Sequence, residues 1–260
     1  MKKIQNIDIQ IDKSSKFERK RYFNISTLGL GLLYKKYIGN DYFTERWWKV
    51  VIVLCDFLKE KNDIPPIQPN ELNAEGMAKR RKQNELFYQN YIDDHYDVAI
   101  LYRRFDFQNW FSQDDYNKKL MILNELHVGT IEIAKHFNWE IEPLENAYQQ
   151  CLEQNLENNW IAKKLKTKSS PNRKFKASVF VEYDLTEIRF FALIVDKEGN
   201  QIQKTLFHKI SGNDKNVNYP DDAFLILKGK TKWNKNEFIL FDKNGNKIAK
   251  TAVKQLGIKN

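Results

Sequence analysis

Residues 177–208, ASVFVEYDLTEIRFFALIVDKEGNQIQKTLFH, change the period of the chain. Apolar and polar side chains alternate there with a period of two, which is the pattern of a half-buried strand. Residues 177–183, 188–195 and 202–208 therefore read as strands, and 224–227, 238–241 and 248–253 continue the series. Two turns look alike, IVDKEGNQI at 194–202 and LFDKNGNKI at 240–248. Each places Gly and Asn where a tight turn demands positive φ. Their likeness reads as one common hairpin solution used twice, with a distant internal repeat as the alternative. The second half of the chain is thus an antiparallel sheet with some curl.

Upstream the patterns differ. Ile7, Ile9 and Ile11 alternate with Asp8, Gln10 and Asp12, a short strand, and a second extended piece is expected over 20–25. A helix is expected over 27–37. Residues 42–61 read as the clearest helix, because Trp47, Trp48, Val50, Val51, Ile52, Val53, Leu54, Phe57 and Leu58 cover most of its circumference, as in a central helix. Pro65 and Pro66 stop it, and 71–90 reads as another helix. Ser112 with Asp115 resembles a helix N-terminal cap, for a helix running to about Phe137. Pro143 suits the first turn of the next, whose apolar seam is Leu144, Tyr148, Cys151, Leu152, Leu156 and Trp160. The expected architecture is α+β: a mainly helical domain over 1–165 with one or two short N-terminal strands, then a basic antiparallel β domain over 166–260. The stretch KKLKTKSSPNRKFK at 163–176 carries Ser169, Ser170 and Pro171 at its centre and reads as the linker.

Charge divides at nearly the same place. Residues 1–160 hold 22 Lys and Arg against 24 Asp and Glu, a balance of −2, while residues 161–260 hold 21 against 10, or +11. This asymmetry points to an acidic partner for the second half. Only Arg173 and Arg189 among its cations are arginines, and lysine is poorly suited to bidentate reading of phosphates or base edges.

Two cysteines, Cys55 and Cys151, lie in apolar runs and read as core residues of a protein in a reducing compartment. No leader-like apolar stretch opens the sequence, and no apolar run approaches the ~20 residues that span a bilayer. The expected location is cytoplasmic, with no membrane partner.

Residue patterns that carry chemistry are weak. Glu132 and His136 stand one helical turn apart, but Glu125, Glu132 and His136 fall opposite the stripe of Ile122, Leu123, Leu126 and Ile133. They read as a face of solvated salt bridges, with His127 at the stripe's boundary. Asp242, Asn244 and Asn246 alternate as calcium ligands do, but Phe207 and Val253 occupy the twelfth positions, where a bidentate Glu is needed. Gly29 and Gly31 lack the third glycine of a dinucleotide fingerprint. Glu182 and Asp184, at the end of a strand, lack the convergent carboxylates of two-metal hydrolysis. No cofactor, metal or catalytic residue is assigned.

What remains is binding. Lys228, Lys230, Lys232, Trp233 and Lys235 read as a lysine-rich loop with a tryptophan anchor, a contact set for an acidic protein surface. A second set suits nucleic acid: Lys79, Arg80, Arg81 and Lys82, then Lys163, Lys164, Lys166, Lys168, Arg173, Lys174 and Lys176. Small bacterial proteins with a helical part, a β part and no catalytic motif resemble immunity or antitoxin-type inhibitors in make-up. By that analogy of class the expected function is non-catalytic partner binding, with nucleic-acid binding or phage defence as the alternative.

Overall fold

The computed structural model describes residues 1–11, 20–55, 91–95, 97–214 and 220–253. The chain is α+β, with its long helices in the first half and antiparallel sheets filling the second. It divides into two compact units, Met1–Leu156 and Glu157–Asn260. Among the described residues no helix is long and apolar enough to cross a membrane.

The first unit begins with β1 (Lys2–Lys3), β2 (Asn6–Ile11), α1 (Lys20–Ile38), β3 (Phe43–Thr44) and β4 (Lys49–Cys55). After β5 (Tyr91–His95) and β6 (Val98–Arg104) come α2 (Phe107–Ser112), α3 (Asp115–His136) and α4 (Glu142–Glu153). β1 pairs with β3, and the main sheet has the order β2-β4-β6-β5, with β2, β4 and β6 parallel and β5 antiparallel at the edge.

β4 corrects the expectation of a helix over 42–61, of which 56–61 lie outside the described residues. Val50, Ile52 and Leu54 face a core shared with α1, α3 and α4, while Val51, Val53 and Cys55 form a second buried cluster with Tyr102. A central parallel strand buried on both faces shows one uninterrupted apolar run, as an all-round apolar helix does. Four β-branched residues in succession, Val50–Val53, favour the strand. The expected helix over 71–90 lies outside the described residues, as does the connector before it.

The extended piece expected over 20–25 is instead the first part of α1. This helix covers the free edge of β2. Asn24 Oδ1 accepts from the Ile11 amide at 3.1 Å, and Thr27 Oγ1 donates to the Ile9 carbonyl at 3.3 Å. Gly31 permits the approach, since a Cβ there would stand 2.5 Å from the Ile7 carbonyl oxygen. An edge strand so dressed offers no template for further pairing.

α2 and α3 are each capped by an aspartate. Asp106 accepts from the Asn109 amide and Asp114 from the Asn117 amide. The cap expected at Ser112 therefore sits two residues later, and the Ser112 hydroxyl donates back to the Asn109 carbonyl. Along α3, Ile122, Leu123, Leu126, Ile133 and Ala134 are buried at steps of three and four. α4 carries Pro143 in its first turn, and both cysteines are buried.

The second unit holds β7 (Asn158–Ile161), a short 3₁₀ turn (Lys163–Leu165), β8 (Lys168–Ser169), β9 (Lys176–Tyr183), β10 (Glu187–Val195) and β11 (Gln201–Ser211). α5 (Asp221–Leu227), β12 (Lys230–Asn234), β13 (Glu237–Phe241) and β14 (Lys247–Ala252) complete it. The large sheet has the order β11-β10-β9-β7, with β8 also on β9, and the small sheet is β12-β13-β14. Ala177, Val179 and Val181 of β9, and Phe190, Ala192 and Ile194 of β10, are buried, in the expected period of two. The small sheet meets the large one at both ends. Gln203 on β11 donates to Thr251 Oγ1 and the Ala252 carbonyl, and Thr231 Oγ1 on β12 donates to the Leu165 carbonyl just before β8.

Two local expectations change here. Residues 224–227 belong to α5, which Pro220 precedes, with Asp221 and Asp222 in its first turn, where carboxylates suit the helix dipole. Residues 230–234, expected as loop, are β12. The two look-alike turns match atom for atom in their capping. Asp196 accepts from the Asn200 amide and Asp242 from the Asn246 amide, both at 2.8 Å, while Gly199 and Gly245 take φ of 95° and 89°. Glycine alone takes the positive φ there, and the asparagine serves as hydrogen-bond partner. Each asparagine also donates its side-chain Nδ2–H to the other carboxylate oxygen at 2.9 Å, and this bond is the first reason each carboxyl lies below its ordinary range.

Candidate functional site, a basic face on the second unit

The stretch 163–176, with its serine-proline centre, is not a slack linker but a pinned part of the second unit. Ala162 and Leu165 are buried, and β8 pairs with the start of β9 through Lys168↔Ala177 and Ser169↔Lys176. Between them Ser170, itself buried, closes a turn. Its hydroxyl donates to Asn172 Oδ1 and accepts from the Phe175 amide, while its own amide donates to the Phe175 carbonyl. With the backbone held this way, Lys163, Lys164, Lys166, Lys168, Arg173, Lys174 and Lys176 are all exposed.

β12 lies beside β8. The Trp233 indole N–H donates to the Lys168 carbonyl at 3.0 Å, and its ring packs on Phe238 with centroids 5.3 Å apart. Thr231 is buried, and Lys230 and Lys232 on the same strand are exposed. Lys228 follows the end of α5 and Lys235 occupies the turn to β13, both exposed. The fold therefore joins two candidate sets that lie more than fifty residues apart in sequence. Lys79, Arg80, Arg81 and Lys82 lie outside the described residues.

None of the cations from Lys163 to Lys176, nor Lys228, Lys230, Lys232 or Lys235, has an ion pair with a carboxylate among the described residues. Buried or mutually paired charge is spent within the fold; exposed cations of one sign raise a local field toward anions. Trp233 is half-buried and its donor is engaged, so it braces β12 against β8.

A row of apolar residues on the outer face of the large sheet escaped the sequence reading. Ile161, Phe180, Phe191 and Leu206 are successive cross-strand partners on β7, β9, β10 and β11. The available signal was Phe180 and Phe191 at positions where an alternating strand should turn polar side chains outward.

The other weighed constellations resolve as structure. Arg103 on β6 donates to Glu125 at 2.8 Å and to Glu132 at 2.5 Å. Ion pairing was the expectation for these glutamates, but they face β6 and are partly buried. His127 stacks on Tyr148 at 4.3 Å, with the Tyr34 hydroxyl 3.2 Å from its Nδ1. Burial lowers its pKa, with Glu145 opposing. Burial also pushes the Cys151 thiol up to about 12, far from a reactive thiolate. Glu182 pairs with Arg189 and Lys204, and Asp184 with Arg189. Among the described residues no three His, Cys, Asp or Glu side chains are grouped to hold a metal ion. Compared with protein-family models, curated proteins and solved structures, the chain has no match.

Proposed function

We propose that this protein is a non-catalytic binder whose second unit docks an acidic protein surface, as an inhibitor of the immunity or antitoxin type does. One observation supports the reading: β8 and β12 lie side by side, which brings the exposed cations of 163–176 and of β12 into one neighbourhood, without carboxylate partners among the described residues. A face of that kind speeds encounter with an acidic partner and disfavours basic ones. Lysine, a flexible point charge, suits such steering better than geometric readout. Two buried cysteines in a chain of this length suit a cytoplasmic, reducing setting.

The test is affinity purification of the full chain at low salt, beside a variant carrying Lys164→Glu, Lys166→Glu, Arg173→Glu and Lys230→Glu. The expected result is a stoichiometric acidic protein bound to the native chain and lost from the variant. No stoichiometric protein, or one held equally by both, would sink the reading.

A second reading, nucleic-acid binding, draws on the same exposed line from Lys163 to Lys176. It requires binding to DNA or RNA that weakens steeply with salt. Fluorescence anisotropy with single- and double-stranded oligonucleotides at low salt tests it, and a flat titration would end it.

A further inference from the structure

We infer that the partner's apolar anchor seats on the row Ile161–Phe180–Phe191–Leu206 on the outer face of the large sheet; this rests on the acidic-protein reading above. The register makes the row. Ile161 stands opposite Phe180, Phe180 opposite Phe191, and Phe191 opposite Leu206, across four neighbouring strands. Ile161 and Leu206 at its ends are 44% and 50% exposed, and Phe180 and Phe191 are half-buried with centroids 6.4 Å apart. Large apolar side chains exposed singly are common; four in one continuous row are the mark of an interaction surface.

The charges around the row choose its occupant. Lys204 places its ammonium 4.6 Å from both phenylalanine rings and pairs with Glu182 at 2.6 Å. Arg189 pairs with Glu182 and Asp184, and Lys209 with Glu187. The rim is thus satisfied within the sheet, and the row itself exerts little pull on a polyphosphate. Lys204 thus lies over the two central rings with its charge already neutralised, and an apolar row with paired charges on and beside it suits a protein interface better than an anion site. A second copy of this chain is disfavoured, because residues 161–260 carry +11 and two such faces repel. Lys176, exposed on β9, alternates onto the same face as Phe180, and the exposed Arg173 and Lys174 lie in the turn just before it. The fitting partner is a protein with apolar side chains crossing the row and carboxylates reaching Lys176 and the turn beyond it.

Photo-crosslinking with p-benzoylphenylalanine, placed one site at a time in the full chain, tests this. The sites are Leu206, Ile161, Lys164 and, as a control on the β13–β14 turn, Asn244. The expected result is one protein, identified by mass spectrometry as acidic, captured from Leu206, Ile161 and Lys164 but not from Asn244. With that protein purified, Phe191→Ala and Leu206→Glu should each weaken its Kd about tenfold or more, with circular dichroism unchanged. Capture from Lys164 without capture from Leu206 or Ile161 overturns the row and leaves the basic face standing. Capture from none of the three overturns both. Crosslinks only to a second copy or to nucleic acid, or unchanged affinity of Leu206→Glu in a folded chain, also overturn the row.

Discussion

The two units differ in where their strongest charges are placed. In the first, two cations are held between strands and helices by carboxylates: Arg103 lies between Glu125 and Glu132, and Lys49 meets Asp8 at 2.5 Å across the β2–β4 pair. In the second, the outer sheet face has its own ion pairs, yet the cations of 163–176 and β12 have no carboxylate among the described residues. A matched charge supports the fold that holds it. An unmatched, exposed charge adds nothing to stability and is available to something else. Similar side chains therefore support the fold where they are paired and, in the proposed reading, are left for recognition where they are not.

The largest expected effect breaks the second half of this contrast. Charge reversal at Lys164, Lys166, Arg173 and Lys230 should slow association with an acidic protein tenfold or more at low salt, on the order seen for electrostatic steering. It should change stability by only about 0.5 kcal/mol per site. Stopped-flow association and denaturant unfolding measured together separate the two. A large loss of stability would mean that these lysines support the fold after all.

Arg103→Met breaks the other half. It leaves two partly buried carboxylates without their cation and should destabilise the first unit by about 2 kcal/mol. Urea unfolding followed by tryptophan fluorescence reads this, and the second unit's binding should be unaffected. Lys49→Met should cost about 1 kcal/mol, because it removes one carboxylate pair, with Asp8, where Arg103 holds two. The two together would grade how the cost depends on the number of carboxylates left behind.

The smallest effect concerns pH. Burial holds His127 below its ordinary value near 6.5, so the folded chain keeps it neutral where the unfolded chain binds a proton. Stability from this group is present above about pH 6.5 and falls as pH drops through that value toward the lower folded pKa. His127→Gln should flatten part of the stability profile between roughly pH 7 and 5. A residual slope from His208, lowered by burial in the same way, should remain. An unchanged profile would show that His127 is protonated equally in both states.

Much of the fold was legible locally. The strands within 177–183 and 188–195 follow from alternation, and α3 and α4 follow from steps of three and four. The twin turns follow from Asp, Gly and Asn at fixed spacing. Residues 42–61 were not legible, because a strand covered on both faces and a helix covered all round present the same composition. α5 failed for the opposite reason: seven residues, with Ala223 and Ile226 buried, are too few to show a period. In the candidate site, the lysines were visible as a run, and their exposure is as expected of lysine. Trp233 was expected as an anchor, and its hydrogen bond to Lys168, 65 residues away, could not be read from its neighbours.

By itself, then, the sequence determined the uneven distribution of charge, the alternating strands and the two turns, since each depends on residues within a few positions of one another. Only the tertiary structure decided that Val50–Cys55 is the middle of a sheet, that β8 and β12 lie side by side, and that Ile161, Phe180, Phe191 and Leu206 stand in a row. Those facts depend on which strands are neighbours and in what register. Pairing is settled by the burial of whole faces against one another, and no local window of the chain contains that information.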